Sequence, residues 1–252
     1  MPCYNNFTEV FFTVQSLRMH HDLTDCEILV VDNFGDPELE NFIQTKGSGQ
    51  VRYEKFLDKT GTSCTKNRVF ELARGDMVLC MDSHILLRPG SLNNIPVTDD
   101  LIHGPIIYAD MRNYCCSWQD VWRGHMWGIW GPSTKELPKE PFEIWGMGTG
   151  FFMTKRESWL GFNKRFSGFG GEQGYLHEKY RKAGRKVWCY PKMVWMHMFG
   201  RKIPYPLNLT DRIRNYIIGH QELGMDIKPI IDHFGSAMVD PIVEKVKNEQ
   251  HS

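Results

Sequence analysis

An apolar run, Met77-Val78-Leu79-Cys80-Met81, ends abruptly in Asp82-Ser83-His84. Residues two apart on an extended segment project to the same side. The carboxylate of Asp82 and the imidazole of His84 therefore leave the strand end together, as an oxygen and a nitrogen ligand. A divalent cation held by few protein groups keeps positions open for the oxygens of a diphosphate. A solvated Asp and His at an ordinary strand end fit the same residues, and the spacing alone does not separate these readings.

Other residues could join them. Asp32 follows Glu27-Ile28-Leu29-Val30-Val31 at the carboxyl end of a short apolar run, which is where α/β sheets bind ligands. It could accept from the N–H of a base, or cap a helix. Gly61-Thr62-Ser63-Cys64-Thr65-Lys66 sets a turn of small residues before a helix with a cation in its first turn; this suits an anion, or leaves Lys66 solvated. Gly170-Gly171-Glu172 offers a carboxylate beside a flexible turn. His197, after Val194-Trp195-Met196, is either a third metal ligand or a packed core residue.

The elements that must position these groups read as an α/β chain. Val10, Val14 and Leu17 have helical spacing, and helices are also expected over Pro37–Thr45, Thr65–Arg74 and Glu172–Ala183. Strands are expected over Glu27–Val31, Val51–Phe56, Met77–Met81, Gly148–Thr154 and Lys186–Tyr190. Strands alternating with helices imply a sheet covered on both faces. Residues 106–145 are rich in Tyr, Trp, His and Gly and broken by Pro132, Pro138 and Pro141. The tail carries amphipathic stretches at Leu209–Leu223 and Pro241–Asn248.

Composition narrows the classes. In 252 residues, 30 basic and 30 acidic side chains leave a formal net charge of zero, so bulk attraction to nucleic acid or anionic lipid has no support. Seven Cys without a CxxC pattern argue against a disulfide framework or zinc ribbon and for reduced thiols. No apolar run is long enough to span a bilayer and no signal peptide opens the chain. A cytoplasmic protein is expected, whether cellular or phage- or virus-encoded and acting in the host cytoplasm.

Pro2-x-Tyr4-Asn5, Val30-Val31-Asp32-Asn33, Gly61 with Lys66-Asn67, Asp82-Ser83-His84, Gly148-Thr149-Gly150, Gly170-Gly171-Glu172 and His197 occur in the motif order of GT-A fold, family-2-type glycosyltransferases. The chain resembles this family over residues 2–205, and within it most resembles the retaining polypeptide N-acetylgalactosaminyltransferases. That branch shares Asp-Ser-His, Gly-Gly-Glu, a third metal-binding His and a stretch like Phe199-Gly200-Arg201-Lys202-Ile203-Pro204-Tyr205. The resemblance implies a Rossmann-like, mostly parallel GT-A sheet flanked by helices (residues 1–205) with a helical C-terminal extension (206–252). It implies a UDP-sugar donor and Mn²⁺, with Mg²⁺ as the alternative, held by Asp82, His84 and His197. Donor contacts would come from Tyr4, Asp32, Lys66, Asn67, Asp82, Gly148 and Lys202, with Asp32 on uracil. Glu172, Gln173, Arg201 and Tyr205 would be the catalytic groups. Inverting relatives place an Asp base where this chain has Gln173, an amide with no basic lone pair; retention is therefore expected.

The chain departs from that pattern in two places. The central strand that precedes the Pro-x-Tyr-Asn turn is expected to be missing, and Ile85-Leu86-Leu87 stands where an acidic residue often follows Asp-Ser-His. The acceptor is left open between a glycan, a protein Ser/Thr and a hydroxymethylated DNA base. Trp118, Trp122, Trp127, Trp130 and Trp145 could grip any of them. The competing function is a catalytically inactive GT-A domain that binds carbohydrate or nucleic acid.

Overall fold

The computed structural model describes residues 1–249. It opens with β1 (Pro2–Cys3), α1 (Phe7–His20), β2 (Ile28–Asp32), α2 (Pro37–Lys46), β3 (Val51–Lys55), α3 (Thr62–Leu72), β4 (Met77–Met81) and β5 (Ile85–Leu87). Short strands follow: β6 (Leu101–His103), β7 (Ile106–Ile107), β8 (Tyr114–Cys115), β9 (Trp118–Arg123), β10 (Met126–Trp130), β11 (Ser133–Thr134), β12 (Phe142–Glu143) and β13 (Phe151–Lys155). Then come α4 (Gln173–Lys182), β14 (Val187–Cys189), β15 (Trp195–His197), α5 (Leu209–Glu222), α6 (Lys228–Phe234) and α7 (Ser236–Asn248).

The five residues of β2 are all buried, as a continuous apolar run between two covered faces requires. Pro37 opens α2 behind Asp36, whose side chain accepts from the N–H groups of Glu38 and Leu39. Strands β1, β2 and β3 are parallel. The expected gap before the Pro-x-Tyr-Asn turn is held by two residues. Val31 N–H donates to Met1 O at 2.9 Å and Asn33 N–H to Cys3 O at 3.0 Å.

Beyond β4 the sheets become mixed. β13 lies between β4 and β6 and runs antiparallel to both, while β14 joins β6 in parallel. A second sheet has the order β11-β8-β7-β15-β5. The Ile85–Leu87 run is thus a strand: its apolar residues pair antiparallel with β15, His197 opposite Ile85. The Trp-rich stretch forms the β9–β10 hairpin, where a side chain at Gly128 would lie 2.5 Å from the Trp118 ring. Helix α7 begins five residues before Pro241, earlier than its apolar pattern suggested, and α6 was not anticipated at all. Among the described residues no helix is long and apolar enough to cross a membrane.

Helix α5 packs on α4, α6 and α7 and clamps the Gly168–Gly171 turn. Buried Asn215 donates to Ser167 O at 2.9 Å and Gly170 O at 2.8 Å and accepts from Ser167 N–H at 3.1 Å. A side chain at Gly171 would meet Arg212 O and Asn215 Cβ, both at 2.8 Å. The turn that carries Glu172 is thus held from the extension. Asn215→Ala leaves the buried Gly170 carbonyl and the half-buried N–H and carbonyl of Ser167 to find new partners, an expected loss of about 3 kcal/mol. Urea unfolding checks this; a loss under about 1 kcal/mol would mean that the turn does not depend on Asn215.

Candidate active site

A cavity of about 270 Å³ opens at the carboxyl ends of β1, β2 and β4 and reaches the β9–β10 hairpin. Its middle is built by two strand ends. Asp82 and His84 follow β4, whose last step is fixed by Asp82 N–H donating to Gly150 O at 2.8 Å. His197 closes β15, and the β5–β15 register with Met198 N–H on His84 O at 3.1 Å draws it against His84. The two Nε2 atoms lie 3.0 Å apart, and Asp82 Oδ2 is 3.9 Å from His84 Nε2 and 3.8 Å from His197 Nε2. Among the described residues these three form the one group whose ligand atoms could hold a metal ion.

The electrostatics favour a cation there. Burial pushes the imidazole of His84 down to about 4 and lowers that of His197 as well, so both present neutral nitrogens at physiological pH. Burial opposes ionisation of Asp82, yet the nearby positive charge of Lys66 leads a group of cations that holds its carboxyl below the usual range. One carboxylate and two imidazoles form a mixed donor set that Mn²⁺ and related divalent ions accept. The Nδ1 atoms of both His are buried without a partner.

Lys66 is 1% exposed, although a place in the first turn of the expected Thr65–Arg74 helix permitted a solvated side chain. Its Nζ donates to Thr149 O at 2.8 Å and Thr149 Oγ1 at 3.1 Å and stands 3.8 Å from Asp82 Oδ1. Helix α3 begins at Thr62, three residues ahead of expectation, because Thr62 N–H donates to Gly168 O and Thr65 Oγ1 to Gly61 O. Glu172, also 2% exposed, faces the cavity with Oε2 unpartnered. Burial raises its carboxyl above the ordinary value against the pull of Lys66 and Arg212. Gln173 Oε1 is likewise buried without a partner.

The structure brings Tyr4, Lys66, Asp82, His84, Gly148, Glu172, Gln173, His197, Arg201 and Tyr205 to one cavity wall. It does not bring Asp32, Asn67 or Lys202 there. Asp32 is fully buried and its carboxylate accepts from Phe34 N–H, Asp36 N–H and Tyr53 OH. Asn67 spends its amide on Phe162 and Trp159 behind α3. Lys202 is exposed. Two wall residues carried no sequence signal of their own: Phe169 packs on Tyr205 with centroids 3.8 Å apart, and Arg212 arrives from α5. Thr149, quoted only as part of the Gly148-Thr149-Gly150 motif, anchors Lys66. Trp118 and Trp130 line the hairpin end, while Trp122 and Trp127 pack inward against Tyr216 and His220.

Among solved structures, the chain superposes on GalNAc-T7 in complex with UDP, GalNAc and Mn²⁺ with a TM-score of 0.70 at 16% identity, over 87% of this chain and 46% of that one. The mannosyltransferase PcManGT from Pyrobaculum calidifontis, in complex with GDP-Man and Mn²⁺, gives 0.56 at 13% identity over 97% and 72%. S. aureus TarS 1–349 with UDP-GlcNAc gives 0.57 at 12% identity over 96% and 70%. This chain thus spans less than half the length of the GalNAc-T7 chain. No curated protein sequence matches it. The profile of glycosyl transferase family 2 covers residues 1–160, from β1 past the Asp82-Ser83-His84 strand end and β13, and the chain belongs to that family, with a GT-A fold.

Proposed function

We propose that this chain transfers a sugar from a nucleotide-sugar donor, a UDP-sugar in the simplest case, to an acceptor hydroxyl with retention of anomeric configuration. The observation that carries this reading is the convergence of Asp82, His84 and His197 beside Lys66 and Glu172 in one cavity. Asp82, His84 and His197 would hold a divalent cation, Mn²⁺ by the precedent of the two relatives that contain it. Such an ion supplies a Lewis acid for a diphosphate leaving group. Lys66 and Arg201 add fixed positive charge beside it.

Glu172 and Gln173 line the same cavity, each with a buried side-chain oxygen that has no partner, and sugar hydroxyls are donors that would satisfy them. Gln173 cannot take a proton from an acceptor, because an amide has no basic lone pair. The carboxylates on the cavity wall are Asp82, committed to the cation, and Glu172, committed to the sugar. With an amide in place of a base at Gln173, the reading follows the retaining relatives that the chain resembles, in which the departing diphosphate oxygen itself receives the acceptor proton. The acceptor falls among glycan, protein and hydroxymethylated DNA. Trp118 and Trp130 at the far end of the cavity supply flat apolar faces for it.

Intact Asp82, His84, Glu172 and His197 favour an enzyme over an inactive binding module, and donor hydrolysis tests this. Release of UDP from a UDP-sugar is expected with Mn²⁺ and not with chelator; no release from any common nucleotide-sugar would reject transferase chemistry. Asp82→Asn and His84→Ala should each remove the Mn²⁺-dependent rise in melting temperature and lower turnover by about a thousandfold. An unchanged metal response in either variant would remove the metal assignment. The anomeric proton of the product, followed by NMR, is expected to keep the donor's configuration, and an inverted product would end the retaining reading.

A further inference from the structure

We infer that His103 and His177 are positioning residues for the transfer site: one bond between their imidazoles fixes the Gly148-Thr149-Gly150 segment and the start of α4 relative to one another. This rests on the nucleotide-sugar reading above and deepens it, because that segment and that helix hold the groups assigned to the donor. Neither His is on the cavity wall, and both are fully buried. His103 ends β6 and His177 sits in the second turn of α4. Their Nε2 atoms lie 3.0 Å apart.

One ring is tied to the sheet. The β13–β6 register pairs Met153 with Ile102, and beyond it the Phe151 carbonyl is taken by His103 Nδ1 at 2.9 Å. A carbonyl only accepts, so His103 carries its proton on Nδ1 and is bare at Nε2. Burial pushes His103 down to about 3 and His177 well below the ordinary imidazole range, which keeps both rings neutral. His177 Nε2–H is then the donor to His103 Nε2. The His177 ring also lies against the other flank of the segment. It stands 3.3 Å from Met147 N, and a Cβ on Gly146 would be 2.9 Å from its Nδ1.

Between these flanks are the oxygens that organise the site. Thr149 O and Oγ1 hold Lys66, and Gly150 O fixes Asp82 N–H. At the far end of the link, Glu172 caps α4 and Gln173 opens it. Two apolar side chains of the same shape would fill the space without leaving His177 Nδ1 unpartnered. What they would not supply is a directional bond between sheet and helix, and a buried bond of that kind specifies one arrangement. A misplacement of about 1 Å near reacting groups costs about a hundredfold in rate.

Nitrogen NMR spectra of isotope-labelled histidine rings in the whole chain test the bond. His103 is expected to be protonated at Nδ1 and His177 at Nε2, with a coupling between the two Nε2 nuclei; a proton on His177 Nδ1 would overturn the inference. His177→Leu should speed hydrogen exchange of the Asp82 amide by at least about tenfold and leave Val30 and Val31 in β2 unchanged. It should also lower Mn²⁺-dependent release of UDP from a UDP-sugar by about ten- to a hundredfold. His177→Gln, whose amide N–H can reach the same nitrogen, should restore both. Undiminished turnover in His177→Leu, or equal losses in the two variants, would overturn the inference, as would an inactive His177→Gln where the Leu variant does not fold. A wild-type chain that releases no UDP rejects the nucleotide-sugar reading instead, and the ring spectra and Asp82 exchange still decide the pair.

Discussion

The site depends on one register. β5 pairs antiparallel with β15 so that His197 stands opposite Ile85, and this sets two imidazole nitrogens 3.0 Å apart at the end of the strand that carries Asp82. A slip of one residue would turn His197 to the other face of the sheet, and the three-ligand group would become a pair. The register is protected by burial: Ile85 and Leu87 on one strand and Trp195 on the other are core residues, so slipping would carry apolar side chains into solvent. The apolar Ile85-Leu86-Leu87 run, unusual as a sequel to Asp-Ser-His, is therefore what keeps the third ligand in place.

The second constraint comes from outside the matched family region. Helix α5 holds the Gly168–Gly171 turn through Asn215 and passes Arg212 into the cavity. The turn in turn supports Glu172 and the start of α3, because Gly168 O accepts from Thr62 N–H and Gly168 N–H donates to Thr60 O. The turn thus ties the start of α3, Glu172 and the extension to one another. The division at residue 205 marks a change of texture in the sequence, yet the cavity takes side chains from both sides of it.

Much of this was legible beforehand where a local rule governs. The apolar, β-branched run of β2 announced a buried parallel strand, and Asp82 and His84 do meet, although across the Ser83–His84 turn after β4 and not along an extended strand as their two-residue spacing suggested. What local rules do not carry is the choice between equal uses of one group. An Asp at a strand end can bind a ligand or satisfy nearby N–H groups, and in Asp32 the Phe34 and Asp36 amides win because the tight Asp32–Asp36 turn leaves them no backbone partner. Asn67 follows the same logic with Trp159 and Phe162. Conversely, Lys66, which at a helix start fitted an anion site or a solvated cation equally well, is buried, since Thr149, more than eighty residues away, supplies the oxygens its ammonium needs. His197 stood open between a third ligand and a packed core residue, and only the likeness to a known family favoured the first; its spacing from His84 says nothing until β5 and β15 are seen to pair. Arg212 lies in the first turns of an ordinary amphipathic helix, where nothing in the sequence distinguishes it from Arg214, which turns to Glu249 instead.

Lys66 also explains how the cavity is charged before any ligand enters. A buried ammonium is costly unless nearby groups offset the lost hydration. Here two neutral oxygens of Thr149 do most of that, and the nearest carboxylate stays 3.8 Å away. The positive charge is consequently solvated by the protein without being cancelled, and its field reaches Asp82 and Glu172 as well as the open space between them. Fixed groups of this kind need not reorganise when charge builds up on a leaving group. A closer Lys66–Asp82 pair would have neutralised both partners and weakened the site for an anion. The 3.8 Å separation, held by Thr149 on one side and by the Asp82–Gly150 bond on the other, keeps the cation available to a ligand and the carboxylate available to a metal.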